Sequence, residues 1–259
     1  MQRKDRPLIL VTNDDGITAK GIHALTLAMS TLGDVVVVAP DKPQSGMGHA
    51  VTIHHPIRVQ DAEVPYAIKA YSCSGTPVDC VKIALYTLLD RKPNLIVSGV
   101  NHGSNSSINV IYSGTMSAAI EGAVEGVPSI GFSLLDYSLD ADFTASQKVA
   151  IHLAKQMLED EHLPENLCLN VNIPKGTQIN GIKMCRQAQG MWHEQFNERT
   201  DPFQKKYYWM TGEFMVKDKG EDTDEFALQH NFVSVVPVQF DLTAYHALSH
   251  LQQWNLNHE

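Results

Sequence analysis

The chain has 259 residues, of which 43% are apolar and 19% charged, and its formal net charge is −9. These values fit one large folded domain, or a domain with an appendage, and exclude a disordered or fibrous chain. The acidic balance argues against a nucleic-acid polymer or an anionic membrane as partner, because both require clustered Lys and Arg.

The amino-terminal stretch carries basic residues, but its apolar run over 8–11 is too short for a signal-peptide core or a membrane span. Residues 8–12 read as a buried strand, 21–32 as an amphipathic helix and 35–39 as a second buried strand closed by Pro40. Strand-like runs over 51–59 and 67–73 suggest an inserted hairpin. The spacing then predicts a helix over 78–89, a strand over 95–98, a helix over 115–124 and a strand over 129–134. A helix over 143–158 and a strand over 168–173 complete the first part. This alternation implies an α/β fold: a Rossmann-like parallel sheet with helices on both faces. The division expected is a catalytic core over 1–175 and a carboxy-terminal extension over 176–259. In the extension, 184–209 reads as irregular, 207–216 and 232–240 as antiparallel strands, and 243–254 as a helix. Cys73, Cys80, Cys168 and Cys185 show no CxxC spacing, which suits a reduced, cytoplasmic protein rather than a zinc or thioredoxin site.

Ligands of parallel sheets bind beyond the carboxyl ends of the strands, so the loops there carry the chemistry. The first loop is Asn13-Asp14-Asp15-Gly16. Two carboxylates about 5 Å apart repel by roughly 3 kcal/mol at an effective dielectric near 20, a cost that a divalent cation reverses. Oxygen donors favour a hard ion such as Mg²⁺ or Mn²⁺. Ser45, in the loop after the second strand, and Asn101, after the strand at 95–98, offer neutral oxygens. The same Asn-Asp-Asp-Gly also suits a turn in which one carboxylate caps the next helix. Ser113-Gly114-Thr115 opens a helix and fits a phosphate cradle as well as an ordinary cap. Gly103 and Asn105 belong to a second glycine- and amide-rich loop. His246 and His250 have i,i+4 spacing without an HExxH pattern, and His54 and His55 should face opposite ways on a strand; none is assigned a role.

Five motifs occur in order: TNDDG at 12–16, AP…QSG at 39–46, SGTPVDC at 74–80, SGVNHGSN at 98–105 and YSGT at 112–115. Together they resemble the SurE family of nucleotidases, and GEDTDEFAL at 220–228 is similar to that family's DTD segment. The resemblance implies hydrolysis of nucleoside 5′-monophosphates, in some members also 3′-monophosphates, with exopolyphosphatase activity as an extension. It implies one divalent metal per subunit on Asp14, Asp15, Ser45 and Asn101, and a homodimer or homotetramer that exchanges its carboxy-terminal arm. Asp14 and Asp15 are then the catalytic residues, with Asp14 the expected acceptor of the water proton. The phosphate or substrate contacts expected are Asn13, Gly46, Gly103, Asn105, Ser113, Gly114 and Thr115.

Three rivals fit less well. A covalent aspartyl-phosphate phosphatase needs its carboxylates two residues apart, whereas Asp14 and Asp15 are adjacent. A receiver-like signalling module needs an acceptor Asp where this chain has Asn101. A dinucleotide-binding dehydrogenase needs a glycine-rich first loop that does not repel pyrophosphate.

Overall fold

The central strand, β1 (Leu8–Thr12), is buried along its whole length, as a strand covered on both faces must be. The computed structural model describes residues 6–176, 178–254 and 256; the basic residues expected within 1–5 lie outside the described residues. From β1 the chain runs through α1 (Lys20–Ser30), β2 (Asp34–Pro40), β3 (Val59–Ala62) and β4 (Lys69–Cys73). It continues through α2 (Pro77–Ile83), β5 (Leu95–His102), α3 (Gly114–Val124), β6 (Ser129–Leu134), α4 (Thr144–Glu159) and β7 (Cys168–Ile173). The last part holds β8 (Ile182–Met184), β9 (Gly190–Thr200), β10 (Lys206–Val216), α5 (Asp224–Gln229), β11 (Val233–Val238) and α6 (Tyr245–Leu251).

Nine strands form one sheet in the order β3-β4-β2-β1-β5-β6-β7-β11-β8. Pairing is parallel from β4 across to β7, and antiparallel for β3 with β4 and for β11 with β7. Helices α1 and α4 pack together on one face, and α2 and α3 on the other. From β1 the chain builds first toward β2 and later toward β5, so the order reverses at β1. A crevice opens at such a reversal, beyond the carboxyl ends of the strands. No helix among the described residues is long and apolar enough to cross a membrane.

Several expectations need correction. The run 51–58 is irregular rather than a strand, because it is held by side chains instead of a ladder: Thr76 Oγ donates to the Ala50 carbonyl and Thr52 N–H donates to Asp79. The edge hairpin is β3–β4, and β4 extends the main sheet beside β2. The helix expected over 78–89 ends at Ile83 and finishes as a π-helical turn, Ala84–Leu88. The stretch read as irregular contains β9, which pairs with β10 over eleven registered positions. The strand expected to accompany β10, now β11, instead pairs with β7 and β8 in the main sheet. The segment after residue 175 therefore returns to the core, and the β9–β10 ribbon is the element that leaves it as a separate two-stranded sheet.

One irregularity positions the site. Between Ser98 and Asn101, β5 carries one residue more than β6, so the register slips and Asn101 reaches the rim opposite Ser133. Gly99 makes this possible: its φ is +123°, and a Cβ there would collide with the Phe132 carbonyl oxygen. The substitution Gly99→Ala is expected to destabilise the fold by about 3 kcal/mol through backbone strain and overpacking. Thermal denaturation of the variant checks this, with an unchanged Tm as the contrary result.

Candidate functional site

A cavity of about 440 Å³ lies at the reversal of strand order, within the size range of small-ligand sites. Asp14, Asp15, Ser45, Gly46, Asn101, Asn105 and Ser113 all reach its wall. Asn13, Gly103, Gly114 and Thr115 sit behind that wall instead, and each has a supporting contact that explains why.

Asn13 is buried, and its side chain closes the first loop by donating to the Gly16 carbonyl at 3.0 Å and accepting from Gly16 N–H at 3.2 Å. That clip fixes how Asp14 and Asp15 leave β1. Thr115 lies in the first turn of α3 and donates its hydroxyl to Asp14 Oδ1 at 2.5 Å. Gly114 lets the helix end come this close, since a Cβ there would stand 2.7 Å from that of Asp14. Ser113 caps α3, its hydroxyl accepting from Met116 N–H at 3.0 Å. The Gly103 carbonyl accepts from the Asn101 amide nitrogen at 3.0 Å. This bond orients the Asn101 amide and leaves Oδ1 as the atom free to accept or to ligate.

The electrostatics centre on the aspartates. Asp14 is only 4% exposed, and burial pushes its carboxyl up to about 6, opposed by the Thr115 hydroxyl and aided by the Asp15 charge. Burial also raises Asp15, opposed by the nearby His102. Asp15 Oδ2 is buried and has no hydrogen-bond partner. Among the described residues, no lysine or arginine lines the cavity. The described residues contain no cluster of three or more His, Cys, Asp or Glu side chains suited to a metal. The donors here are two carboxylates, a serine hydroxyl and an asparagine oxygen, the set a hard divalent ion takes. The orphaned Asp15 oxygen is the observation that fits such an ion.

Sequence reasoning missed part of the wall. His102 lines the cavity, and its Nδ1 lies 2.9 Å from the Asp136 carbonyl oxygen. A carbonyl only accepts, so Nδ1 carries the hydrogen and the other ring nitrogen of the neutral side chain keeps its lone pair. Glu225 also lines the cavity, and its Oε1 accepts from the Ser106 hydroxyl at 2.5 Å. Both residues lie inside recognisable motifs, 98–105 and 220–228, but nothing local in those motifs marks them as facing a ligand. Trp192 and Phe214 complete the far side from the base of the β9–β10 ribbon.

The architecture and the site together define an α/β protein with a carboxylate-lined cavity at the strand-order reversal of its sheet. The family model described as Survival protein SurE matches residues 9–194. A 5′-nucleotidase SurE from Christiangramia forsetii is 60% identical over 258 residues, covering 98% of this chain and 99% of that one. Another from Cytophaga hutchinsonii is 54% identical over 258 residues, again covering 98% and 99%. The crystal structure of the SurE protein from Aquifex aeolicus superposes with a TM-score of 0.81 at 38% identity, covering 95% of this chain and 98% of that chain. The chain belongs to the SurE family.

Burial of Asp14 has a consequence for stability. Its carboxyl titrates near 6 in the folded protein and near the ordinary 3.8 when unfolded, so folding favours the protonated form. That contribution is fully present below pH 4 or so, and about 3 kcal/mol of it is lost as pH rises through about 6. In metal-free protein, Asp14→Asn is expected to raise Tm above wild type at pH 7.5, with the two converging near pH 4. Thermal melts at both pH values check this, and a lower Tm for the variant at pH 7.5 would contradict it.

Proposed function

We propose that this protein is a divalent-metal-dependent phosphatase that hydrolyses nucleoside 5′-monophosphates to nucleoside and phosphate. The observation that carries the reading is the adjacent pair of buried Asp14 and half-buried Asp15, with one Asp15 oxygen unpartnered, against the amino end of α3. The names of the relatives, 5′-nucleotidase SurE, agree with it.

The Asp14 and Asp15 carboxylates, the Ser45 hydroxyl and Asn101 Oδ1 would hold the ion. When bound, it supplies positive charge to the phosphoryl oxygens and eases ionisation of a water. At the amino end of α3, Ser113 reaches the cavity wall, and its hydroxyl hydrogen can donate to a phosphoryl oxygen where negative charge builds up, with Gly114 and Thr115 standing behind it. Thr115 also holds Asp14 in orientation through its hydroxyl. With the ion held, Asp14 would be a poor proton acceptor, because a nearby cation lowers carboxylate basicity. His102 is the better acceptor: its Nδ1–H is committed to Asp136, and the second ring nitrogen can take the proton of the attacking water. The carboxylates of Asp14, Asp15 and Glu225, with no lysine or arginine on the wall among the described residues, favour one phosphoryl group over a longer chain of phosphates. Phosphomonoesters are therefore the substrates and short polyphosphate is disfavoured; the 5′ position is taken from the relatives' names.

The β9–β10 ribbon carries exposed Phe196, Tyr208, Trp209 and Met210. A two-stranded ribbon is marginal by itself, and such apolar exposure calls for cover. A second copy of the chain supplies it, giving a homodimer or homotetramer.

Phosphate release from AMP with Mg²⁺ or Mn²⁺ tests the reading. Wild type should turn over only with metal, and Asp14→Asn should abolish turnover while keeping the fold. His102→Ala should lower kcat by about 100-fold with the metal requirement unchanged. Full activity in Asp14→Asn would overturn the assignment.

A further inference from the structure

The metal-binding carboxylates account for one end of the cavity. The other end is aromatic and comes from a different part of the chain. Trp192 on β9 and Phe214 on β10 are direct cross-strand partners, with ring centroids 5.4 Å apart and planes inclined at 52°. Both line the cavity with the proposed phosphate site. Trp192 is 40% exposed, although its indole N–H is already committed to Asn109 Oδ1 at 2.8 Å. Its position is thus fixed while much of its ring stays open.

The root of the ribbon is held firmly. Buried Asp224 accepts from Ser107 N–H at 2.8 Å and from Ala188 N–H at 2.9 Å. The Ser107 hydroxyl donates to the Ala188 carbonyl at 2.8 Å. On the outer side, Arg186 pairs with Asp218 and Asp222, so the segments entering and leaving the ribbon are tied together. A rigid aromatic surface facing a cavity is the chemistry that recognises another flat ring: stacking needs no specific donor, and its ordering cost is already met by the fold. A phosphate or a sugar alone has nothing to place there.

We propose that Trp192 and Phe214 form a nucleobase-stacking subsite, so that the root of the ribbon, not the metal end, sets the preference for nucleotides over smaller phosphate esters. This rests on the phosphatase reading above and goes beyond it. The subsite accepts purine and pyrimidine rings alike, purines more strongly for their larger face. It also makes the seating of the ribbon part of substrate binding.

The test compares AMP with ribose 5-phosphate, which presents the same phosphoester without a base. In the full-length wild-type protein with Mn²⁺, kcat/KM should favour AMP clearly. Trp192→Ala should reduce that preference by about 10-fold, consistent with base–aromatic stacking, and the change should lie in KM. Trp192→Phe keeps a ring and loses the bond to Asn109, so it should retain most of the preference. Adenosine should inhibit the wild type competitively at concentrations where ribose does not, a readout that needs no variant. An unchanged preference in Trp192→Ala, or wild-type indifference to the base, would overturn the subsite and leave the phosphatase reading intact. Failure of the wild type to release phosphate from either ester would instead overturn the phosphatase reading.

Discussion

Asp14 and Asp15 place two carboxylates at the carboxyl end of one buried strand, with one oxygen unpartnered and, among the described residues, no lysine or arginine on the cavity wall. A fold that is only marginally stable does not keep such a pair without return. Proton uptake relieves part of the strain, which is why burial drives Asp14 upward. A divalent cation held there, as proposed, would relieve it at neutral pH and turn the cost into affinity. The cost in stability and the capacity for chemistry are the same electrostatic fact.

Much of the surrounding structure serves to hold this pair in place. The Asn13 clip sets the exit of the chain from β1. Gly114 and Thr115 bring the end of α3 against Asp14, and the slipped register of β5 carries Asn101 to the same rim. The Ser45 loop is tied from both sides: Gln44 N–H donates to the Asp14 carbonyl at 2.7 Å, and His49 bonds Glu121 of α3 at 2.7 Å. Each device comes from a different strand or helix end, so the site exists only in the assembled sheet.

The core was legible because its signals are local. The strands β1, β6 and β7 are short apolar runs bounded by turn residues, and their limits match the sequence reading. The aspartates stood out because adjacent carboxylates after a buried strand are unusual without a counter-charge. The ribbon was partly hidden for the opposite reason: β9 is exposed along nearly its whole length and has no buried face to impose a period of two. Trp192 and Glu225 were missed because tertiary contacts place them, such as that between Ser107 and Asp224, 117 residues apart. Asn13 and Thr115 were expected at the substrate, but their side chains are committed to the loop and to Asp14. Motif membership identified these residues as important without distinguishing contact from support.

In the proposed site, Asp14 and Asp15 share one divalent ion with Ser45 and Asn101. The most direct measurement is an anomalous difference map from crystals of the protein grown with Mn²⁺. A single strong peak per chain is expected, within coordination distance of both aspartates, the Ser45 hydroxyl and Asn101 Oδ1. A map with no peak at the end of β1, or with the ion held elsewhere, would contradict it.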